Sequence, residues 1–301
     1  MVQMNTIPEE KLRAHKALTE LPLSMNNARE LGGIALRDGR RVKRGALLRT
    51  TQLAAASAED LRALREDYHL SLILDMRDAD EIRSAPDPEI PGAKWVQSPI
   101  IDFEQMKQSL AARAHGHRDD IPQIDPDNFS WEQVLQQTLY LLRAGAGQDG
   151  EPVGLDNAYA DYLAGSLGQE KLGLFFRELA ANDRGAALWH CFTGKDRTGI
   201  AAGLILEVLG ADWETIVTDY ETSNLFFADQ IENMEKMLRG RGVDEELLPP
   251  LCGMMGVYRP LLENAWRYMR RVWGGPIGYL KDACGVTEEE LEILRQRYIE
   301  D

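Results

Sequence analysis

Between residues 187 and 209 the chain places three structural demands in one run. Ala187-Leu188-Trp189 is a short apolar stretch, His190-Cys191-Phe192-Thr193-Gly194-Lys195-Asp196-Arg197-Thr198-Gly199 is polar and carries two glycines, and Ile200, Leu204 and Val208 then share one helical face. The pattern reads as strand, tight loop and helix, which calls for an α/β fold with the loop at the carboxyl edge of a sheet. Five residues separate Cys191 from Arg197. That spacing lets the intervening backbone N–H groups converge on one point above the helix N-terminus, where the helix dipole also favours negative charge. A phosphate group fits such a point.

The residue types suit the same chemistry. A thiol attacks well only as the thiolate, and the helix dipole, the loop N–H groups and the neighbouring His190 and Arg197 all favour that form at Cys191. Arg197 adds a planar fork of donors that matches two phosphoryl oxygens, a geometry lysine lacks. Phe192, Thr193, Gly194, Lys195, Asp196 and Arg197 are therefore the candidate phosphate-binding residues, and Cys191 the candidate nucleophile.

His-Cys-x-x-Gly-Lys-Asp-Arg-Thr-Gly is similar to the signature loop of the cysteine-dependent tyrosine and dual-specificity phosphatases. The Lys195-Asp196 pair most resembles the bacterial and fungal tyrosine-protein phosphatases that also act on phosphoinositides. Further segments share the resemblance: Asn27-Ala28-Arg29-Glu30-Leu31-Gly32-Gly33, with Glu30 where the family carries Asp, the following Arg49-Thr50, then Asp75, Arg77 and Glu81, the pair Tyr159 and Tyr162, and Asp219-Tyr220-x-x-Ser223-Asn224. It runs from about Asn27 to Gly278-Tyr279-Leu280.

The resemblance implies a central, mostly parallel sheet flanked by helices and hydrolysis of phosphoric monoesters through a cysteinyl-phosphate. Phosphotyrosine proteins are the first expected substrate and phosphoinositides the second, with no metal and no organic cofactor needed. Cys191 attacks phosphorus, and Arg197 with the loop N–H groups holds the equatorial oxygens. The Thr198 hydroxyl is expected to hydrogen-bond the Cys191 sulfur, and a buried His190 to orient the loop. Two carboxylates compete to protonate the leaving oxygen: Asp196 inside the loop, which is favoured, and Asp75, which otherwise positions Arg197 or the attacking water. A phosphate-binding module without turnover and a sulfurtransferase using the same cysteine loop are the alternatives. A nucleotide-binding P-loop is excluded, because no glycine stands five residues before Gly194 and Asp196 follows Lys195.

Composition narrows the setting. The 301 residues carry a net charge of −15, which speaks against nucleic acid as a partner. No apolar run approaches the length of a membrane span and Met1 to Lys16 lacks a signal-peptide pattern, so a cytoplasmic protein without an integral membrane segment is expected. Cys191, Cys252 and Cys284 are odd in number and unrelated in spacing, which fits neither a disulfide framework nor a zinc site.

Along the chain, residues 1–25 read as a polar lead-in with a short, peripheral helical pattern from Pro8 to Leu18. Asp38-Gly39 marks a hairpin turn, and Ser57 with Asp60 a capping box that opens a helix. Leu70 to Leu74 reads as a buried strand ending at Asp75, after which Arg77 and Glu81 pair at helical spacing, and Lys94-Trp95-Val96 as another strand. Ser130 with Gln133 predicts a second capping box and a helix through Leu142. The cluster His115, His117, Asp119 and Asp120 is read as polar loop rather than metal site. Beyond the signature helix everything is helical, with segments over 225–238, 260–273 and 287–298. One domain over 1–301 is expected. Within it, residues 225–255 form a candidate lid whose Leu225, Phe226, Phe227, Met234, Met237, Met254 and Met255 look exposed.

Overall fold

The computed structural model describes residues 2–101 and 158–300, with Gln133 and Gln136 as helical positions between them. The expected capping box at Ser130, the helix through Leu142 and the cluster from His115 to Asp120 lie outside the described residues. The first half comprises α1 (Glu9–Thr19), β1 (Arg29–Glu30), β2 (Arg41–Val42), β3 (Leu47–Thr50), α2 (Ala58–Glu66), β4 (Leu72–Asp75), α3 (Ala79–Ser84) and β5 (Lys94–Gln97). The second comprises α4 (Ala158–Ala164), α5 (Ser166–Ala181), β6 (Ala187–His190), α6 (Asp196–Leu209), α7 (Trp213–Phe226), α8 (Ala228–Gly240), α9 (Leu248–Cys252), α10 (Arg259–Trp273), α11 (Glu288–Tyr298) and β7 (Ile299–Glu300).

The main sheet has the order β1-β3-β6-β4-β5, parallel except for β1, which runs antiparallel to β3. Strands covered on both faces read as continuous apolar runs, and every residue of β3, β4 and β6 is buried. Side chains alternate between two cores. Leu47, Leu72, Leu74 and Trp189 face one that includes Phe175, Leu204, Trp266 and Leu291, whereas Leu48, Ile73 and Leu188 face another built on Leu21, Leu53 and Leu64. Helices cover both faces, as the α/β reading requires.

Register delivers the site. Thr50 and Asp75 both stand opposite His190, so three neighbouring parallel strands end together and Cys191 emerges from the central one. α6 leaves directly from that edge and is buried over nearly all its length. Gly203 permits the close packing of α10, since a Cβ there would stand 2.7 Å from a ring carbon of Trp266.

Two expectations are corrected at the ends of the chain. α1 is not peripheral: Leu12 is fully buried against Ile7 and Val217, and the Thr6 and Ile7 N–H groups both donate to the Glu221 carboxylate at 2.9 Å. The apolar residues of the candidate lid are not bare. Phe227, Ile231, Leu238, Leu248, Leu251 and Cys252 form a small cluster of their own with Met4, over which Met234, Met237, Met254 and Met255 pack partly buried. At the other end, β7 pairs antiparallel with β2 and returns residue 300 to residue 41. Among the described residues no helix is long and apolar enough to cross a membrane.

Candidate active site

Cys191 follows the last residue of β6 and is 1% exposed. The loop that begins with it turns at Gly194, whose φ of +68° lies in the left-handed region and whose Cβ would stand 2.2 Å from the Thr50 carbonyl oxygen. Only glycine fits there. Thr51 Oγ1 and the Gln52 N–H hold the Phe192 carbonyl at 2.7 and 3.2 Å, and the first helical hydrogen bond runs from Gly199 N–H to Lys195 O. Among the described residues no protein acceptor takes the N–H groups of residues 192–196. They form the unsatisfied cradle that an anion at a helix start requires.

Arg197 is gripped by a residue that sequence reasoning paired elsewhere. Its Nη1 and Nη2 donate to Glu81 Oε2 and Oε1 at 2.5 and 2.6 Å, and Nη1 also reaches the Met76 carbonyl at 3.2 Å. Glu81 was expected to pair with Arg77. Instead, Asp78 caps α3, and Arg77, which precedes the N-cap, does not share the Glu81 face. Glu81 also accepts from the Asp78 N–H, so one carboxylate closes the capping box and orients Arg197. Burial raises the Glu81 pKa, but the Arg197 hydrogen bonds outweigh it and hold the carboxyl below the usual range. Burial likewise opposes the Arg197 charge, and the hydrogen bonds to Glu81 lead the contacts that more than restore it.

The two candidate acids separate clearly. Asp75 is fully buried and bound side-on by Arg77, with Nε at 3.0 Å from Oδ1 and Nη2 at 2.8 Å from Oδ2, and Arg77 Nη2 also reaches Asp87 at 2.7 Å. His190 Nε2 lies 2.9 Å from Asp87 Oδ2 and its Nδ1 3.2 Å from the Cys191 carbonyl oxygen, which ties the start of the loop to this buried network. Asp75 thus faces Arg77, not Arg197. Asp196, by contrast, is one-third exposed and lines a cavity of about 290 Å³ together with Lys195 and Arg197. Its Oδ1 accepts from Tyr159 Oη at 2.5 Å, and Tyr159 Oη lies 3.0 Å from Tyr220 Oη.

Ile101, Tyr159, Tyr162, Tyr258, Met254 and Leu261 supply most of the rest of the cavity wall, giving an apolar, aromatic throat above a polar floor. Tyr159 and Tyr162 both lie on α4, and burial raises the pKa of each, so both phenols stay protonated.

Two further expectations change. Lys195 does not stand free beside Arg197: its Nζ donates to the carbonyls of Gly256 and Gly253 at 2.7 and 3.3 Å and lies 3.1 Å from Asp196 Oδ2, because the 253–256 turn passes directly over the helix start. The Thr198 hydroxyl is buried and among the described residues reaches no acceptor, the Cys191 sulfur included, while its carbonyl accepts from Trp189 Nε1 at 3.1 Å. Glu30, the departure from the family pattern, caps a turn by accepting from the Gly45 N–H at 2.6 Å and from Arg44 at 2.9 Å.

Comparison with known proteins points to one family. A model of the tyrosine phosphatase family matches residues 22–300. A Cupriavidus necator protein that carries tyrosine-protein phosphatase in its name is 29% identical over 92% of this chain and 86% of its own. A tyrosine-protein phosphatase of Nostoc commune is 30% identical over 84% of this chain and 74% of its own. A triple specificity protein phosphatase of Mycobacterium tuberculosis is 34% identical over 36% of this chain and 42% of its own.

Proposed function

The chain belongs to the tyrosine phosphatase family, and from that premise we propose that Cys191 hydrolyses phosphotyrosine in two steps at the floor of the aromatic cavity. The Cys191 thiolate attacks phosphorus opposite the phenolic oxygen. An S–P bond forms, the P–O bond breaks, and the departing phenoxide takes its proton from Asp196. Water then attacks phosphorus, the S–P bond breaks, and Asp196 takes the water proton, so inorganic phosphate leaves and the thiolate is regenerated. The Arg197 guanidinium and the N–H groups of residues 192–197 hold the equatorial oxygens throughout, so most of the acceleration is electrostatic preorganisation.

The observation that carries this assignment is the shared lining: Asp196 and Arg197, which end the loop that Cys191 opens, line one cavity, whereas Asp75 is buried against Arg77 and does not line it. The throat favours phosphotyrosine, because a flat ring can stack among Tyr159, Tyr162 and Tyr258 while its phosphate reaches the floor. A short phosphoserine side chain leaves its own backbone against the rim. A monophosphorylated phosphoinositide is the second substrate, favoured by the Lys195 ammonium in the cavity wall. The whole chain acts as one domain in this reading, and residues 225–255 act as a lid through the contact of the Gly253 carbonyl with Lys195.

Phosphate release from a phosphotyrosine peptide, a phosphoserine peptide and a phosphoinositide monophosphate, each with the parent and with Cys191→Ser, tests the proposal. Turnover of phosphotyrosine should vanish in the Cys191→Ser protein while phosphate still binds. Residual turnover above ~1% of the parent would place the nucleophile elsewhere, since removing an activated nucleophile costs at least ~10²-fold. Equal turnover of phosphoserine and phosphotyrosine would contradict the depth of the throat.

A further inference from the structure

The Gly194 carbonyl is turned toward the interior of the fold. It accepts from Arg49 Nη2 at 2.9 Å and from Asn27 Nδ2 at 2.8 Å, two buried donors on the β1 and β3 side of the loop. In a trans peptide the C=O and the following N–H point in opposite directions. Two donors that draw the Gly194 oxygen inward therefore turn the Lys195 N–H outward, over the concave side of the loop. The peptide needs such a restraint: at a glycine the backbone has alternatives that other residues lack. Turned over, it would present a carbonyl oxygen to the phosphate and withdraw a donor.

The donors are themselves fixed from behind. Arg49 Nη1 donates to Asp219 Oδ2 at 2.6 Å, Arg29 Nε to Asp219 Oδ1 at 3.0 Å, and Arg29 Nη2 to Ser223 Oγ at 3.1 Å. Arg29 Nη1 donates to Asn27 Oδ1, which orients that amide so that its Nδ2 faces Gly194. Arg29 and Arg49 are cross-strand partners in β1 and β3, both fully buried, and Asp219 on α7 is 2% exposed. Burial opposes ionisation of Asp219, but Arg29 and Arg49 outweigh it and hold its carboxyl far below the usual range. His15 also borders the cluster, and burial lowers its pKa to about 4, so it is neutral at pH 7. Two guanidinium groups and one carboxylate leave one positive charge behind the loop.

We propose that Asn27 and Arg49, braced by Arg29 and Asp219, are positioning residues that hold the Gly194–Lys195 peptide with its N–H toward the phosphate oxygens. The assignment rests on the reading of residues 192–197 as the phosphate cradle. It differs from a role in joining β1, β3 and α7, which would affect stability without selecting one amide of the loop.

Asn27→Asp separates the two roles. It keeps the oxygen that Arg29 engages and replaces the donor with a carboxylate oxygen facing the Gly194 carbonyl, and aspartate tolerates the positive φ of 57° found here. The full-length ¹⁵N-labelled protein is titrated with tungstate, a tetrahedral oxyanion that binds without forming a bond to sulfur. In the parent the Lys195 amide should shift on binding together with those of Thr193 and Arg197. In Asn27→Asp the Lys195 response should disappear while the others persist, and tungstate should bind ~10²-fold more weakly, the lower end of what one preorganised oxyanion donor is worth. An unchanged Lys195 response, with affinity within about threefold of the parent, overturns the proposal. Failure of tungstate to bind the parent loop overturns the cradle reading as well, which separates the two failures. Should Asn27→Asp not fold, Asn27→Gly removes the donor without adding charge and takes the positive φ without strain, and the same loss of the Lys195 response alone is expected.

Discussion

Replacing Glu81 with glutamine isolates the orientation of Arg197 from its charge. The parent carboxylate accepts two charge-assisted hydrogen bonds, at 2.5 and 2.6 Å, with the Arg197 side chain 7% and the Glu81 side chain 18% exposed. Glutamine keeps one acceptor and turns an NH₂ group toward the other guanidinium nitrogen. A hydrogen bond to a charged group is worth about 1.5–3 kcal/mol. If that restraint acts on the transition state, kcat falls about 10- to 150-fold at ~1.4 kcal/mol per decade.

An opposing effect enters through charge. The Glu81 carboxylate sits behind the guanidinium, and for a separation from bound phosphate taken as ~7 Å its removal relieves a repulsion of about 0.6 kcal/mol per unit charge at the dielectric of water and ~2.4 kcal/mol at an effective value of 20. That relief is nearly equal for substrate and transition state, so it lowers KM without restoring kcat. Steady-state hydrolysis of an aryl phosphate, with thermal unfolding as a check on folding, should show a lower kcat and a KM that is unchanged or smaller. A folded Glu81→Gln protein with kcat within about threefold of the parent would refute the reasoning, because Arg197 would then hold its orientation without Glu81.

Asp196→Asn should slow phosphotyrosine ~10²–10⁴-fold and spare an activated aryl phosphate, because only a basic leaving group needs the proton. Equal slowing of both substrates in Asp196→Asn, with leaving-group dependence in Asp75→Asn instead, would move the acid to Asp75. Since the folded-state pKa of Asp219 is depressed, its contribution to stability is complete above the unfolded value near ~3.9 and is lost as pH falls below it. Chemical denaturation between pH 5 and pH 3 should therefore show a steeper acid loss in the parent than in Asp219→Asn. Hydrogen exchange over residues 228–252 should be faster than over 196–209 and slow on vanadate binding, because the apolar residues of the former gather in a small cluster separate from the main core. Equal protection, unaffected by vanadate, would remove the lid.

The parts of the site legible in the sequence are those whose determinants are contiguous. The Ala187-to-Gly199 run states its strand, loop and helix by local pattern alone, and the Ser57–Asp60 capping box likewise forms as spaced. Glu81 was misassigned although the signal was present. Asp78 with Glu81 is itself a capping box, and a residue preceding an N-cap cannot share a helical face with one three positions beyond it. Reading the cap first would have freed Glu81 from Arg77.

The remaining determinants are long-range ion pairs, which leave no periodic trace. An arginine in a strand reads as a solvent-facing residue, and nothing local says that Arg29 and Arg49 will be buried against a carboxylate 190 and 170 residues away. Such pairs contribute little by themselves to net stability, because desolvation cancels much of the attraction. Their use lies in direction. Cys191 and the loop N–H groups must be held to within a fraction of an ångström to act on a phosphoryl group, and a glycine-containing loop cannot hold itself. Glu81 and Met76 grip Arg197 from the β4–α3 side, and Asn27 and Arg49 grip Gly194 from the β1–β3 side. The loop between them is clamped at two points on opposite flanks of β6, so loss of either grip should leave the fold standing and the phosphate oxygens misaligned.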